Sequence, residues 1–179
     1  MAFNGTESAV AYFPGYHCNH RDGFVSSSSM GNGPRGFAEH IDAPTTWENL
    51  DDIGEQQLKI GTVLGYANSD EFDAKVGTGW IRAIPAKNDA TNLKKLLLKR
   101  IDAVVIDKYV LEYLKATDED LTVKAGTLRF NLKPLEDKTL HLCVRDKPEL
   151  AQLVNDFNAG LEQIDSEKIV KAHFASAFN

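Results

Sequence analysis

Cysteine is nearly absent from this chain of 179 residues. Cys18 and Cys143 are too few, and too far apart in sequence, for a disulfide framework or a four-ligand zinc site, and they pair only if the fold brings them together. Cysteine usage therefore leaves the redox compartment open. Excess positive charge is missing too: 20 Lys and Arg stand against 26 Asp and Glu, a net charge of −6, which argues against a nucleic-acid partner held by a basic stripe. No run approaches the roughly 20 apolar residues of a membrane span. The opening MAFNGTESAV has neither the basic start nor the apolar core of a signal peptide, so an exported protein would be represented here by its mature form or an incomplete product. There is no repeat of about 20–50 residues, which sets aside solenoids and propellers. Also missing are a Gly-x-Ser-x-Gly elbow, a His-Glu-x-x-His pair, a Gly-Lys-Ser/Thr phosphate loop, a GxGxxG fingerprint and a convincing pair of catalytic carboxylates.

What remains is an ordinary soluble composition, 42% hydrophobic and 26% charged, long enough for one sizeable domain or one domain plus an extension. The stretch SSSSMGNGPRG at 26–36 reads as loop, being rich in Ser and Gly with a proline. Beyond it the pattern becomes regular. TTWENL at 45–50 reads as a capped helix start, LKIGTVLG at 58–65 as a buried strand, and YANSDEFDAKV at 66–76 as helix. WIRAI at 80–84 reads as a short strand and NDATNLKKLLLKR at 88–100 as a helix with Asp89 as its cap. DAVVI at 102–106 then reads as strand, and KYVLEYLKA at 108–116 as a helix with Tyr109, Leu111, Tyr113 and Leu114 toward its buried side. Strands alternating with helices at this spacing predict parallel crossovers and an α/β sheet. Later, LTVKAG at 121–126 and TLHLCVRD at 139–146 read as strands. Two helices close the chain, at 148–164 and 166–178. The first carries an apolar stripe of Leu150, Leu153, Val154, Phe157, Leu161 and Ile164 behind Pro148 at a favoured first-turn position, and such a stripe is expected to bury against something.

In an open parallel sheet, ligands sit beyond the carboxyl ends of the strands. Two places fit. The turn of Gly65, Tyr66, Ala67, Asn68 and Ser69 follows a strand and opens a helix, where backbone N–H groups and the positive end of the helix dipole suit a carboxylate or another anion. As a lone motif it is weak, and an ordinary strand-to-helix turn, with Gly for geometry and Asn or Ser as cap, is the simpler reading. The second place is Asp107, directly after the apolar run in RIDAVVID at 100–107: it either caps the next helix or faces a cleft and pairs with a cation such as an ammonium group. Asp102 sits at the other end of that strand and reads as a surface residue. The cluster YHCNH at 16–20 offers His17, Cys18 and His20, but three ligands within so short a stretch rarely reach one ion without a further ligand, so structural use is the simpler reading. A thiol nucleophile at Cys18 beside a histidine is the enzymatic alternative, and alkylation near neutral pH tests it.

Taken in order, TTWENLDDI, LKIGTVLGYANSDEF, NLKKLLLKRIDAVVIDKYVLEYL, HLCVRDKPEL and FNAGL resemble the family 3 extracellular solute-binding proteins, the periplasmic receptors of polar amino-acid ABC importers. The resemblance runs over about residues 10–178 and is most specific in the leucine-rich helix followed by RIDAVVID and in the closing HLCVRDKPEL with FNAGL. It implies an α/β fold of the type II periplasmic-binding-protein kind: a mostly parallel sheet flanked by helices, with two C-terminal helices. It implies that 1–23 are a remnant of the first lobe and hinge, 24–145 a solute-binding lobe, and 146–179 a helical pair. It further implies that the N–H groups of Gly65, Tyr66, Ala67, Asn68 and Ser69 meet a ligand carboxylate, that Asp107 holds an α-ammonium, and that an ABC-transporter permease is a partner. By the same resemblance the location is the periplasm, while the lack of a signal peptide leaves the cytoplasm open. One departure stands out. Where the family places a carboxylate-clamping arginine, this chain has Ser8, and a hydroxyl does not replace a guanidinium fork.

The resulting expectation is a non-catalytic domain, without cofactor or metal, that binds a small amino acid or carboxylate at a weakened half-site. The rival expectation is a dimeric interaction module derived from such a receptor, motivated by the apolar stripe of Leu150, Leu153, Phe157 and Leu161.

Overall fold

The structure is a computed structural model and describes residues 9–16, 18 and 23–177. Its contacts divide the chain into two units. One is built on residues 34–136 and the other on the described residues before 34 and after 136, with the crossings inside two strands. No described helix is long and apolar enough to cross a membrane.

In the first unit, β4 (Lys59–Val63) lies between β5 (Arg82–Ala86) and β6 (Ala103–Asp107), parallel to both. Strand β3 (Gly31–His40) runs antiparallel to β6, and the short β7 (Leu128–Phe130) runs antiparallel to β3. The run AVVID is continuously apolar up to its last residue because both faces of β6 are covered. Ala103 and Val105 join Phe37, Trp47, Ile60 and Phe72 in one apolar cluster, with Leu50 and Ile53 of helix α1 (Leu50–Glu55). Val104 and Ile106 join a second cluster with Leu93 and Leu96 of α3 (Asp89–Leu97) and Leu111 of α4 (Lys108–Thr117). Helix α2 (Asp70–Gly77) contributes Phe72 to the first cluster. Gly61 lets Ile101 and Asn92 pack close to β4: a Cβ there would meet Ile101 Cδ1 at 2.7 Å and the Asn92 amide at 3.1 Å, so those side chains would have to shift.

Several local readings change. The stretch 26–36 is not all loop: it contains the end of β2 (Phe24–Ser26) and the first six residues of β3, with only 27–30 outside a strand, since Gly and Pro weaken a strand in isolation but long-range pairing overrides them. The supposed strand at 121–126 is helical instead. Asp118 caps α5 (Glu119–Thr122) and the fully buried Leu121 anchors it. Helix α2 begins four residues later than expected, capped by Ser69. Tyr113 is 53% exposed rather than facing the core.

Glu39 is the one buried acid of this unit lying away from the strand ends discussed below. It is 1% exposed and sits on β3, where it accepts from Arg129 Nε at 2.8 Å, Asn131 Nδ2 at 2.6 Å and the Thr45 amide at 2.8 Å. These bonds satisfy a carboxylate that would otherwise be costly to bury, and they tie β7 and the 41–46 segment to β3.

The second unit is built on β8 (Glu136–Arg145), which pairs antiparallel with β1 (Ala11–Tyr16) and with β2. Cys18 and Cys143 form a disulfide, with Cα atoms 5.5 Å apart. Cys18 therefore presents no free thiol for nucleophilic catalysis. His17, His20 and Ser8 lie outside the described residues. Among the described residues no group of three His, Cys, Asp or Glu is placed to hold a metal ion. The two closing helices, α6 (Ala151–Leu161) and α7 (Ser166–Ala177), are both present. Burial of the apolar stripe is incomplete: Val154, Phe157 and Leu161 are half-buried, while Leu153 and Ile164 are 42% and 51% exposed.

Candidate functional site

The carboxyl ends of β6, β4 and β5 form one rim of the first unit. Val63 of β4 is in register with Ala86 of β5, and the Leu64 amide bonds to the Ala86 carbonyl at 2.9 Å, so the chain leaving β5 runs beside the turn leaving β4. On the other side of β4, Asp107 ends β6 and is in register with Arg35 of β3. The rim therefore reads Arg35, Asp107, the 65–69 turn, then Asp89 at the start of α3.

Gly65 has a φ of +76°, a conformation that side-chain-bearing residues seldom adopt, and this lets the chain reverse direction after β4. Two of the five amides expected to face a ligand are taken internally. The Tyr66 N–H donates to the Val63 carbonyl at 3.2 Å, and the Asn68 N–H to Asp73 Oδ2 at 2.8 Å. The Ser69 hydroxyl caps α2 by accepting from the Phe72 amide at 3.3 Å. No described group accepts from the N–H of Gly65, Ala67 or Ser69, so three donors of the turn stay available.

Asp107 does cap α4: its Oδ1 accepts from the amides of Tyr109 at 2.7 Å and Val110 at 3.2 Å. Capping and ligand contact are compatible, because both bonds fall on Oδ1. Asp107 is 8% exposed, and among the described residues nothing donates to Oδ2, which is not sealed from the surface. Asp102 is an exposed residue at the opposite strand end, where it accepts from the Lys59 amide at 2.7 Å.

Two rim residues were not legible as such in the sequence. Arg35 falls in the stretch that reads as loop, yet it is 6% exposed. Its Nη1 donates to the Ala67 carbonyl and to Asn68 Oδ1 at 3.4 Å, which fastens the turn from the β3 side. Asp73 fastens it from the helix side, since Asn68 Nδ2 donates to Asp73 Oδ1 at 3.0 Å. Asp89 reads as a cap in the sequence, but the cap is Asn88, whose side chain accepts from the Thr91 amide at 2.9 Å. With its extended backbone Asn88 takes the capping position and leaves the Asp89 carboxylate for other use.

Burial raises the pKa of Asp107, opposed by the Val110 and Tyr109 amides and by Arg35. Burial likewise raises that of Asp89, opposed first by Arg35. The Tyr66 phenol is pushed up by burial and by the Asp89 charge. A carboxyl whose folded pKa is raised contributes stability below its unfolded value, about 3.9 for Asp, and that contribution is lost as pH rises through the folded value. Melting temperature should therefore respond to Asp107→Asn more favourably at pH 7 than at pH 4, where wild type regains this contribution. An equal difference at both pH values would contradict the burial argument.

A cavity of about 320 Å³ lies at the opposite ends of the same strands, with His40, Lys99 and Asp102 on an apolar floor of Leu58, Leu96 and Ile101. Two of its polar groups are engaged locally: Asp102 with the Lys59 amide, and His40 Nδ1 with the Asp42 amide at 3.2 Å. The rim has the better claim, because it gathers three unclaimed backbone donors and a buried carboxylate with an unclaimed oxygen.

No protein-family model matches the chain, and no curated protein does. Solved structures do match by fold. An arginine-bound variant of ArgBP from T. maritima is 17% identical with a TM-score of 0.59, over 82% of this chain and 62% of that one. AbpA, an amino acid ABC transporter substrate-binding protein from Streptococcus pneumoniae Canada MDR_19A solved with L-arginine, is 13% identical with a TM-score of 0.66, over 95% and 67%. An ancestral amino acid-binding protein, described as a precursor of cyclohexadienyl dehydratase, is 17% identical with a TM-score of 0.61, over 90% and 64%. This chain thus spans 62–67% of the length of these three proteins. The fold class is the one expected, α/β and periplasmic-binding-protein-like with two C-terminal helices. The parallel pairs described are β4 with β5 and β4 with β6, while β3 pairs antiparallel with β6 and β7, and β8 with β1 and β2.

Proposed function

We propose that this chain is a non-catalytic solute-binding domain related to the receptors of amino-acid ABC importers, and that it binds a small amino acid or carboxylate at the rim of residues 34–136. The amides of Gly65, Ala67 and Ser69 take the ligand carboxylate, with Tyr66 and Asn68 shaping the turn, and Asp107 takes the ammonium group through Oδ2. One observation carries this reading: three unclaimed N–H donors lie beside a buried carboxylate with one unclaimed oxygen. The amino-acid ligands of the solved proteins support it at the level of ligand class. The receptor-like division into a hinge remnant at 1–23, a lobe at 24–145 and helices at 146–179, and a permease as partner, belong to the same proposal. A periplasmic location does as well, and the Cys18 disulfide suits an oxidising compartment. Calorimetric titration with a panel of amino acids and small carboxylates tests the reading; absence of heat from every member would refute it.

A second reading rests on the exposed Leu153, Ile164 and Ile169 of the closing helices and their connection: the chain pairs with a second copy through this face and binds no solute. Light scattering over a range of concentrations separates the two, and a monomer at all of them eliminates the pairing.

A further inference from the structure

The rim carries more negative charge than a zwitterion needs. Among the described residues its buried or half-buried ionic groups are Arg35, Asp107, Asp89 and Asp73; with Asp73 taken up by the amide and side chain of Asn68, one cation stands against two carboxylates. Asp107 and Asp89 stand on opposite sides of the 65–69 turn, one ending β6 and the other opening the helix after β5, with β4 between those strands. Neighbouring strands are about 4.8 Å apart, so the ends of β6 and β5, from which the two acids rise, are roughly 10 Å apart. That span suits a molecule with a cation at each end of a short aliphatic stem and a carboxylate near one of them.

Resting on the binding site proposed above, we infer that Asp89 is its specificity-determining residue and that the ligand is an amino acid with a cationic side chain. Asp107 meets the α-ammonium, the turn meets the α-carboxylate, and Asp89 meets the side-chain ammonium or guanidinium. A neutral zwitterion adds no net charge and leaves these three rim groups at −1, whereas a second ligand cation brings them to zero. Arg35 does not satisfy Asp89 by itself, since burial outweighs its pull on that carboxyl and its Nη1 is engaged with Ala67 and Asn68. Asp70 and Glu71, exposed in the first turn of α2, add charge of the same sign. The nearby Lys87 and Lys108 are exposed, where solvent screens them. Asp89 is not held as the helix cap, because Asn88 has taken that position.

L-Arginine and L-citrulline are nearly the same shape and differ in side-chain charge, so calorimetric titration of the full chain with both, alongside L-glutamate, tests the inference. Arginine is expected to bind at least tenfold more tightly than citrulline. Asp89→Asn should collapse that ratio to about one, and Asp89→Glu should keep it; circular dichroism checks that both variants fold. Citrulline or glutamate binding as tightly as arginine, or a ratio unmoved by Asp89→Asn, overturns the role of Asp89 and leaves the binding site standing. Binding of none of the three overturns this inference, and silence across the wider panel refutes the site itself.

Discussion

Replacing Asp107 by asparagine is expected to weaken ligand binding at least thirtyfold. Removing one partner of a buried, hydrogen-bonded charge pair typically costs about 2–5 kcal/mol, and the lower end of that range already amounts to roughly thirtyfold. Asparagine keeps a side-chain oxygen able to accept from the Tyr109 and Val110 amides, so the cap on α4 survives and the loss reflects charge. Asp107→Ala should lose binding equally and, in addition, about 1 kcal/mol of stability from the missing cap. Asp118 supplies the comparison. It caps α5 in the same manner but is paired with Lys94 at 3.1 Å, so Asp118→Ala should lower stability without touching affinity. Calorimetric titration together with urea denaturation of the variants checks all of this. Unchanged affinity in Asp107→Asn would reduce the residue to a helix cap.

The second large effect concerns Cys18 and Cys143. The disulfide joins positions 125 residues apart, and both cysteines are fully buried. A cross-link over so long a stretch restricts the unfolded chain strongly, and loss of a native disulfide typically costs about 2–5 kcal/mol. The double variant Cys18→Ala with Cys143→Ala should lower the urea midpoint, and reductant should do the same to the wild type while leaving the double variant unmoved. An identical midpoint with and without reductant would show that the bond does not form in solution.

Local periodicity made much of the fold legible. The leucines of α3 and the unbroken apolar run of β6 are strong short-range signals, and the structure places both elements within a few residues of the expected positions. The β3 segment was illegible for a physical reason. GNGPRG has the composition of a loop, yet it opens a strand whose long-range pairing local composition does not announce: its last two residues, Arg35 and Gly36, pair with Asp107 and Ile106 of β6, much later in the chain. The 121–126 segment failed in the opposite direction: its β-branched residues favour strand, but the Asp118 cap and the buried Leu121 make it helical. The closing helices follow their pattern in position and not in burial, because periodicity reports an apolar face without reporting what covers it.

The candidate site divides along the same line. The sequence by itself determined the turn at 65–69 and the carboxylate at 107, since each follows a recognisable strand and precedes a recognisable helix. Only the tertiary structure decided that Arg35 stands across from Asp107 and reaches the turn, because that depends on antiparallel register between distant strands. It alone decided that Asn88 caps α3 and so frees Asp89, since two adjacent residues could each have capped the helix and backbone conformation chose between them. Local chemistry is written residue by residue along the chain. The balance of charge at a site is a property of how strands align, and alignment is settled only when the sheet closes.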